Sequence, residues 1–176
     1  MLKKIFLVLV ALIVVFAIIV TVQPASYRIV RSAKIAAPPA TIFPLVNDFH
    51  RWDAWSPWAK LDPAMKSTFE GPAAGTGAIY KWSGNKDVGE GKMTLLESKP
   101  NELVRIKLDF LKPFADTSTT EFTFKPDGAQ TDVSWSMSGD RNFLSKAVSL
   151  FMNMDKMIGG DFENGLAQMK AAEAKK

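Results

Sequence analysis

The chain has 176 residues, no cysteine, one histidine and a formal net charge of +4. Without cysteine it cannot form a disulfide framework, and with one histidine it can build neither a Cys/His zinc site nor a multi-histidine metal site. Its basic residues are scattered along the chain, which disfavours nucleic-acid binding. We therefore expect one globular domain beyond any targeting segment, with no metal and no cofactor.

The first predicted element is a transmembrane anchor in residues 1–24. Two lysines precede an uncharged apolar run at 5–22, which as a helix spans about 27 Å, close to the ~30 Å hydrocarbon core. A cleaved secretory signal is the alternative, but the run is longer than an h-region of about 7–15 residues and no small-x-small cleavage site follows it. The lysines favour a cytoplasmic N-terminus, although basic residues soon after the run weaken this asymmetry. The sequence thus predicts a single-pass membrane protein whose domain, 25–176, lies on the extracytoplasmic (periplasmic) side.

Two short helices are predicted between the first and second strands. Pro39 is tolerated in a first helical turn. The buried side of this helix would consist of Ile42, Phe43, Leu45 and Val46. The next segment holds three of the five tryptophans, and Trp52 and Trp55 lie three residues apart, on one side of a helical turn. This cluster is typical of a core anchor, with a binding surface as the alternative.

Seven segments have the composition or alternation of β-strands. The clearest alternates Val104, Ile106 and Leu108 with Arg105 and Lys107, as expected of an antiparallel sheet with one buried face. Clusters of Gly, Pro, Asn and Asp separate the segments. The predicted strands are 27–35, 65–69, 77–82, 88–96, 103–111, 116–124 and 131–138.

The last predicted element is one long amphipathic helix over 140–170, with Asp140 as its N-cap. Gly159 and Gly160 predict a bend or a close backbone approach. Its methionines and phenylalanines either pack as core or line an adaptable cavity. The apolar stripe comprises Phe143, Leu144, Ala147, Val148, Phe151, Met154, Ile158, Phe162, Leu166 and Met169.

Over residues 27–170 the chain resembles the START-like (SRPBCC) polyketide cyclase/dehydratase superfamily of helix-grip proteins. The resemblance implies an α+β fold, with a seven-stranded antiparallel sheet curled around the long C-terminal helix and a hydrophobic cavity between them. The superfamily has no single catalytic motif, so no catalytic residue is assigned. The motifs that carry the resemblance are Ile35-Ala-Ala-Pro-Pro39, Trp52-Asp-Ala-Trp-Ser-Pro-Trp58, Gly75-Thr-Gly77, Trp82-x-Gly-Asn85, Val88-Gly-x-Gly91 and Phe162-Glu-x-Gly-Leu166.

The leading functional hypothesis is a membrane-anchored domain that binds a lipid or another hydrophobic small molecule. The alternatives are a cyclase- or dehydratase-like enzyme and a protein-interaction module near the membrane. The candidate cavity-lining residues come from inward strand positions, the tryptophan cluster and the helix stripe. They are Trp55, Tyr80, Trp82, Met93, Phe110, Phe122, Trp135, Met137, Phe151, Met154 and Ile158.

Few polar residues are candidates for chemistry. His50, flanked by Asp48 and Asp53, could act as a general base, but a loop histidine bonded to backbone or water explains it too. Arg31 and Glu90 could point into the cavity and hold a ligand headgroup, and a solvated sheet edge explains them equally well.

Overall fold

The computed structural model describes residues 1–59 and 61–173. Within these residues there are seven strands and four α-helices, with a 3-10 helix after the second α-helix. In chain order the elements are α1 (Leu2–Thr21), β1 (Ser26–Ile35), α2 (Pro39–Asn47), the 3-10 helix (Phe49–Ala54), β2 (Lys66–Glu70), β3 (Ile79–Ser83), β4 (Glu90–Lys99), β5 (Leu103–Lys112), β6 (Asp116–Asp127), β7 (Gln130–Asp140), α3 (Phe143–Ser149) and α4 (Met154–Glu173).

The seven strands form one antiparallel sheet in the order β1-β7-β6-β5-β4-β3-β2. Strands β2 to β7 pair consecutively as hairpins, and β1 pairs with β7 at the edge of the sheet. Val104 and Ile106 are fully buried on the inner face of β5, as the alternation predicts. The helix-grip α+β fold with a C-terminal helix against the sheet is confirmed.

Two of the three tryptophans after β1 belong to the core. Trp52 and Trp55 are buried, and their indole Nε1 atoms donate to the carbonyl oxygens of Val46 (3.0 Å) and Leu45 (2.8 Å). Both rings lie edge-on to the fully buried Phe122. These bonds satisfy the polar edge of each ring, so the pair fixes α2 and the 3-10 helix to the sheet.

The prediction of one uninterrupted helix over 140–170 is wrong. The segment forms α3 and α4, with a break at residues 150–153. The side chain of Asn142 accepts from Ser145 N (2.8 Å) at the start of α3, and that of Asn153 accepts from Lys156 N (2.9 Å) at the start of α4. Each therefore caps a new helix N-terminus, and Asn142 takes the capping role predicted for Asp140.

The close approach predicted at the glycine pair is present at Gly159, and α4 continues through both glycines. The Arg31 guanidinium lies where a Cβ of residue 159 would be. From the inner face of β1 it bonds Asp155 (2.9 Å) and Glu163 (2.7 Å) on either side of that glycine. This contact holds the pKa of Asp155 below its ordinary value and ties the edge strand to α4.

The N-terminal helix α1 is long and apolar enough to cross a membrane, a property that signal sequences share. Most of its side chains are exposed, whereas Val20 near its end is fully buried. The Lys146 ammonium of α3 donates to the carbonyl oxygen of Thr21 at 3.3 Å. The C-terminal part of α1 is therefore attached to the α3 segment, while the large apolar side chains of its N-terminal half are exposed.

Candidate functional site

A cavity of about 250 Å³ lies between the inner face of the sheet and α4. Strands β3, β4, β5 and β7 supply aromatic, methionine and leucine side chains to its wall, β6 supplies Thr120, and α4 supplies Ile158 and Phe162. Trp135 forms part of this wall, stacked on Phe162 with ring centroids 4.0 Å apart. Apolar walls with a few polar groups are typical of sites for small hydrophobic ligands.

Seven of the eleven residues proposed from the sequence line this cavity. They share inward positions on the central strands or on the first turns of α4. Ligand contact by these residues remains a prediction. They are Tyr80, Trp82, Met93, Phe110, Trp135, Met137 and Ile158.

The other four lie elsewhere. Trp55 and Phe122 have no exposed surface and pack against each other within the core. Phe151 falls in the break between α3 and α4, where it is 79% exposed and its ring lies 6.4 Å from that of Phe16 in α1. Met154 begins α4 and is half-buried. The assumption of one continuous helix placed these last two on the inner stripe, and the break removes that reason.

The sequence analysis did not propose several cavity residues. Leu108 belongs to the predicted inner face and Phe162 to the helix stripe, so the sequence pattern could have identified both as lining residues. Met65 and Val88 were predicted as the first residues of strands, but both lie in the connections before β2 and β4, as does Asp87. The remaining members are Trp52, Asp53, Ser56, Trp58, Ala59, Thr120 and Asp161.

The polar groups on the cavity wall are few. Asp161 projects from α4 without a hydrogen-bond or ion-pair partner among the described residues, and burial raises its pKa above the ordinary value. Asp53 and Asp87 also border the cavity. The Thr120 hydroxyl already donates to Ser136 O (2.9 Å) and accepts from Trp135 Nε1 (2.8 Å). Asp53 and Asp87 are exposed whereas Asp161 is partly buried, so Asp161 is the carboxylate best placed to bond a ligand in the cavity or exchange a proton with it.

His50 does not line the cavity. Its Nδ1 lies 2.9 Å from Asp48 Oδ1, as in the base arrangement considered from the sequence. However, the ring is half exposed and stacks on Phe69 with centroids 4.0 Å apart. The hypothesis that His50 acts on a ligand in the cavity therefore lacks the required proximity.

Arg31 and Glu90 also lie outside the cavity wall, so the proposed headgroup role is wrong for both. Arg31 is on the inner face, but its guanidinium is held by Asp155 and Glu163. Glu90 pairs with Lys112 across the start of β4 at 2.7 Å. In both cases the charge is matched within the protein.

A second depression of about 770 Å³ extends over β2 to β6, and it is larger but more open than the cavity. Lys66, Lys81, Lys92 and Asp109 contribute to its walls. An apolar molecule would stay largely hydrated there, since burial of apolar area drives its binding. The smaller, apolar cavity is therefore the candidate site.

The contact between α4 and the cavity wall depends on Gly165. A Cβ at this position would lie 2.7 Å from Trp135 Cζ3 and 3.2 Å from Pro57 Cδ. Both neighbours are rings with little freedom to move, so a Cβ at residue 165 would force α4 away from the sheet. Glycine here permits the stacking of Phe162 on Trp135.

We expect Gly165→Ala to destabilise the protein by about 1–3 kcal/mol, the usual cost of overpacking. The matched control is Gly160→Ala, because a Cβ there meets nothing within 4 Å. That change should stabilise α4 by up to about 1 kcal/mol through helix propensity. Urea denaturation followed by circular dichroism measures both, and equal effects would contradict the close packing at Gly165.

Comparison with known proteins gives the family. Residues 26–172 match the model of a family described as polyketide cyclase / dehydrase and lipid transport. The chain belongs to this family. No curated protein matches it.

Solved structures of similar fold come from several bacteria. Protein CV1439 from Chromobacterium violaceum is 18% identical with a TM-score of 0.57, covering 84% of this chain and 96% of its own. Protein MLL2253 from Mesorhizobium loti is 18% identical with a TM-score of 0.60, covering 85% and 98%. Protein Ms6760 from Mycobacterium smegmatis is 17% identical with a TM-score of 0.58, covering 84% and 91%. At such identities the likeness shows the fold alone.

Proposed function

We propose that this protein binds a lipid or another hydrophobic small molecule in the cavity between the sheet and α4, beside the membrane that α1 anchors it to. The observation that carries the proposal is the apolar cavity itself, enclosed by Trp82, Phe110, Trp135, Met137 and Ile158 among others. Membership of a family described by polyketide cyclisation, dehydration and lipid transport supports a hydrophobic ligand.

The cavity size limits the ligand. An engineered cavity of roughly 150 Å³ binds benzene, and the present one has about 250 Å³. A molecule of one or two rings, or a segment of one acyl chain, matches this volume. A whole two-chain phospholipid does not, so a phospholipid would have to bind through part of one tail.

The membrane part of the proposal concerns α1. Its 20 residues span about 30 Å as a helix, which matches the hydrocarbon core. The proposed organisation is an uncleaved anchor in residues 1–24 and a ligand-binding domain in 25–176. Lysines at positions 3 and 4 favour a cytoplasmic N-terminus, with the domain on the extracytoplasmic side.

Native mass spectrometry of the full chain, released from lipid nanodiscs, tests the binding function. We expect a discrete apolar adduct that organic extraction recovers and identifies. A folded protein that carries no adduct, even after incubation with total membrane lipids, would contradict it. A stoichiometric protein partner without ligand would instead favour an interaction module.

Asp161 favours one alternative, a cyclase- or dehydratase-like enzyme. A carboxylate on an apolar wall with a raised pKa can exchange a proton with a bound substrate at a higher pH than an ordinary aspartate. If the protein is an enzyme, we expect Asp161→Asn to carry a different adduct from the wild type, because unconverted substrate remains bound. If it only binds its ligand, the same molecule should be extracted from both.

A further inference from the structure

The pairing of the strands brings several connections to the end of the sheet where α1 arrives. Ser26 of β1 pairs with Asp140 of β7, and Asp116 of β6 pairs with Phe110 of β5. Because neighbouring strands are antiparallel, the turns after β3 and β5 lie at the same end of the sheet. The α1–β1 linker and the β7–α3 linker also lie at this end. We call this region the anchor end, comprising residues 22–25, 84–89, 113–115 and 141–153.

The cavity extends to the anchor end. Asp87 and Val88 of the β3–β4 turn line it, as does Met65 just before β2. Trp82 and Phe110, near the ends of β3 and β5, continue its wall from these turns. The cavity wall therefore begins at the same end of the sheet as the one from which α1 emerges.

Large apolar side chains are exposed around the anchor end. Phe114, in the β5–β6 turn, is 73% exposed. The α3 segment adds more, and its apolar residues are not covered by the sheet. Exposed there are Phe143, Leu144, Val148, Leu150, Phe151 and Met152.

The contact of Phe151 with α1 determines how deep Phe151 would lie in a bilayer that α1 spans. The rings of Phe16 and Phe151 have centroids 6.4 Å apart. Phe16 lies five residues before Thr21, where α1 ends, so it is about 7.5 Å inside the helix. If α1 spans a bilayer, Phe151 reaches the hydrocarbon, while the Lys146 ammonium at the Thr21 carbonyl lies at the headgroup level.

We propose that the anchor end is a second membrane contact, in which α3, the 150–153 break and the β5–β6 turn enter the lipid interface. The cavity mouth then faces the leaflet that surrounds α1, and an apolar ligand exchanges between bilayer and cavity without crossing water. This rests on the proposed function, because α1 in the bilayer supplies the depth reference. The occupant of this surface is lipid.

Site-directed spin labelling tests the contact, since the chain has no native cysteine. The full chain is reconstituted in vesicles of phosphatidylcholine and phosphatidylglycerol, with one label per variant at Phe114→Cys, Phe151→Cys or Val10→Cys. Controls at the opposite end of the sheet are Glu102→Cys and Ala129→Cys, in exposed turns. Power saturation compares collisions with oxygen, which concentrates in lipid, and with a polar nickel chelate.

We expect labels at 114, 151 and 10 to show a several-fold higher oxygen-to-nickel ratio than those at 102 and 129. If 114 and 151 resemble the controls while 10 reports lipid, the second contact is wrong and the anchor stands. If 10 also reports water, the anchor of the proposed function fails and this inference with it. Spin–spin broadening at 151 would indicate a second copy of the chain and also overturn it.

Folding of each variant is checked by circular dichroism before labelling. Phe114 and Phe151 are mostly exposed, so their replacement removes little packing. Leu144→Cys, also at an exposed position of α3, replaces Phe151→Cys if that variant does not fold. Its label is expected to give the same lipid signature, and a water signature there overturns the inference equally.

Discussion

Replacement of Trp135 by alanine is expected to lower the free energy of unfolding by about 3–5 kcal/mol, the range for large aromatic truncations in a core. Trp135 is almost completely buried. Its ring stacks on Phe162 and Phe122 at centroid distances of 4.0 and 4.7 Å and meets Trp55 and Trp58 edge-on. The indole also donates to Thr120 Oγ1. Urea denaturation of the purified chain measures the loss.

Trp135→Phe is the matched control for this substitution. Phenylalanine keeps a ring between Phe122 and Phe162 but loses the hydrogen bond to Thr120, which costs about 1 kcal/mol. A loss below about 1 kcal/mol for Trp135→Ala would contradict the core role. Ligand binding is measured on the same variants, because a full loss of stability with unchanged binding would show that Trp135 does not contact the ligand.

Filling the cavity with Leu108→Trp is expected to reduce ligand affinity by about 5- to 150-fold. Leu108 lines the cavity from the inner face of β5, and an indole there would occupy space that the ligand needs. If the steric cost of about 1–3 kcal/mol arises only when the ligand is bound, the affinity falls by roughly 5- to 150-fold. Native mass spectrometry measures the bound fraction of each variant in the same lipid mixture.

Leu96→Trp is the control for this change. It introduces the same side chain on β4 at an exposed position, so ligand occupancy should match that of the wild type. Leu108→Trp should remain folded, because the added ring enters existing space. Equal occupancy in Leu108→Trp and the wild type would refute binding in this cavity, wherever else a ligand binds.

Most of the fold was predictable because strand periodicity is a local property. Val104, Ile106 and Leu108 face inward because alternate residues of a strand point to the same side. The turn residues delimit seven strands, and the uncharged N-terminal run predicts an apolar helix. The C-terminal helix was predicted less accurately, because an asparagine on a polar face and an asparagine at a helix cap look alike in sequence. At Asn153 the cap divides the helix.

The candidate site was predictable only in part. Inward strand positions such as Trp82, Met93 and Met137 border the cavity. Trp55 and Phe122 also point inward but are covered on all sides. Periodicity identifies the side to which a residue points, but it does not say whether another side chain or an empty space lies opposite.

The sequence by itself determined the apolar N-terminal helix, the seven-stranded sheet and the apolar character of its inner face. The tertiary structure alone decided which inner residues enclose a cavity, that Arg31 pairs with α4, and that Phe151 lies against α1. The physical reason is the sequence separation over which each kind of interaction acts. Alternation and capping act over a few residues, whereas these contacts join segments more than a hundred residues apart and depend on how helices and sheet pack together.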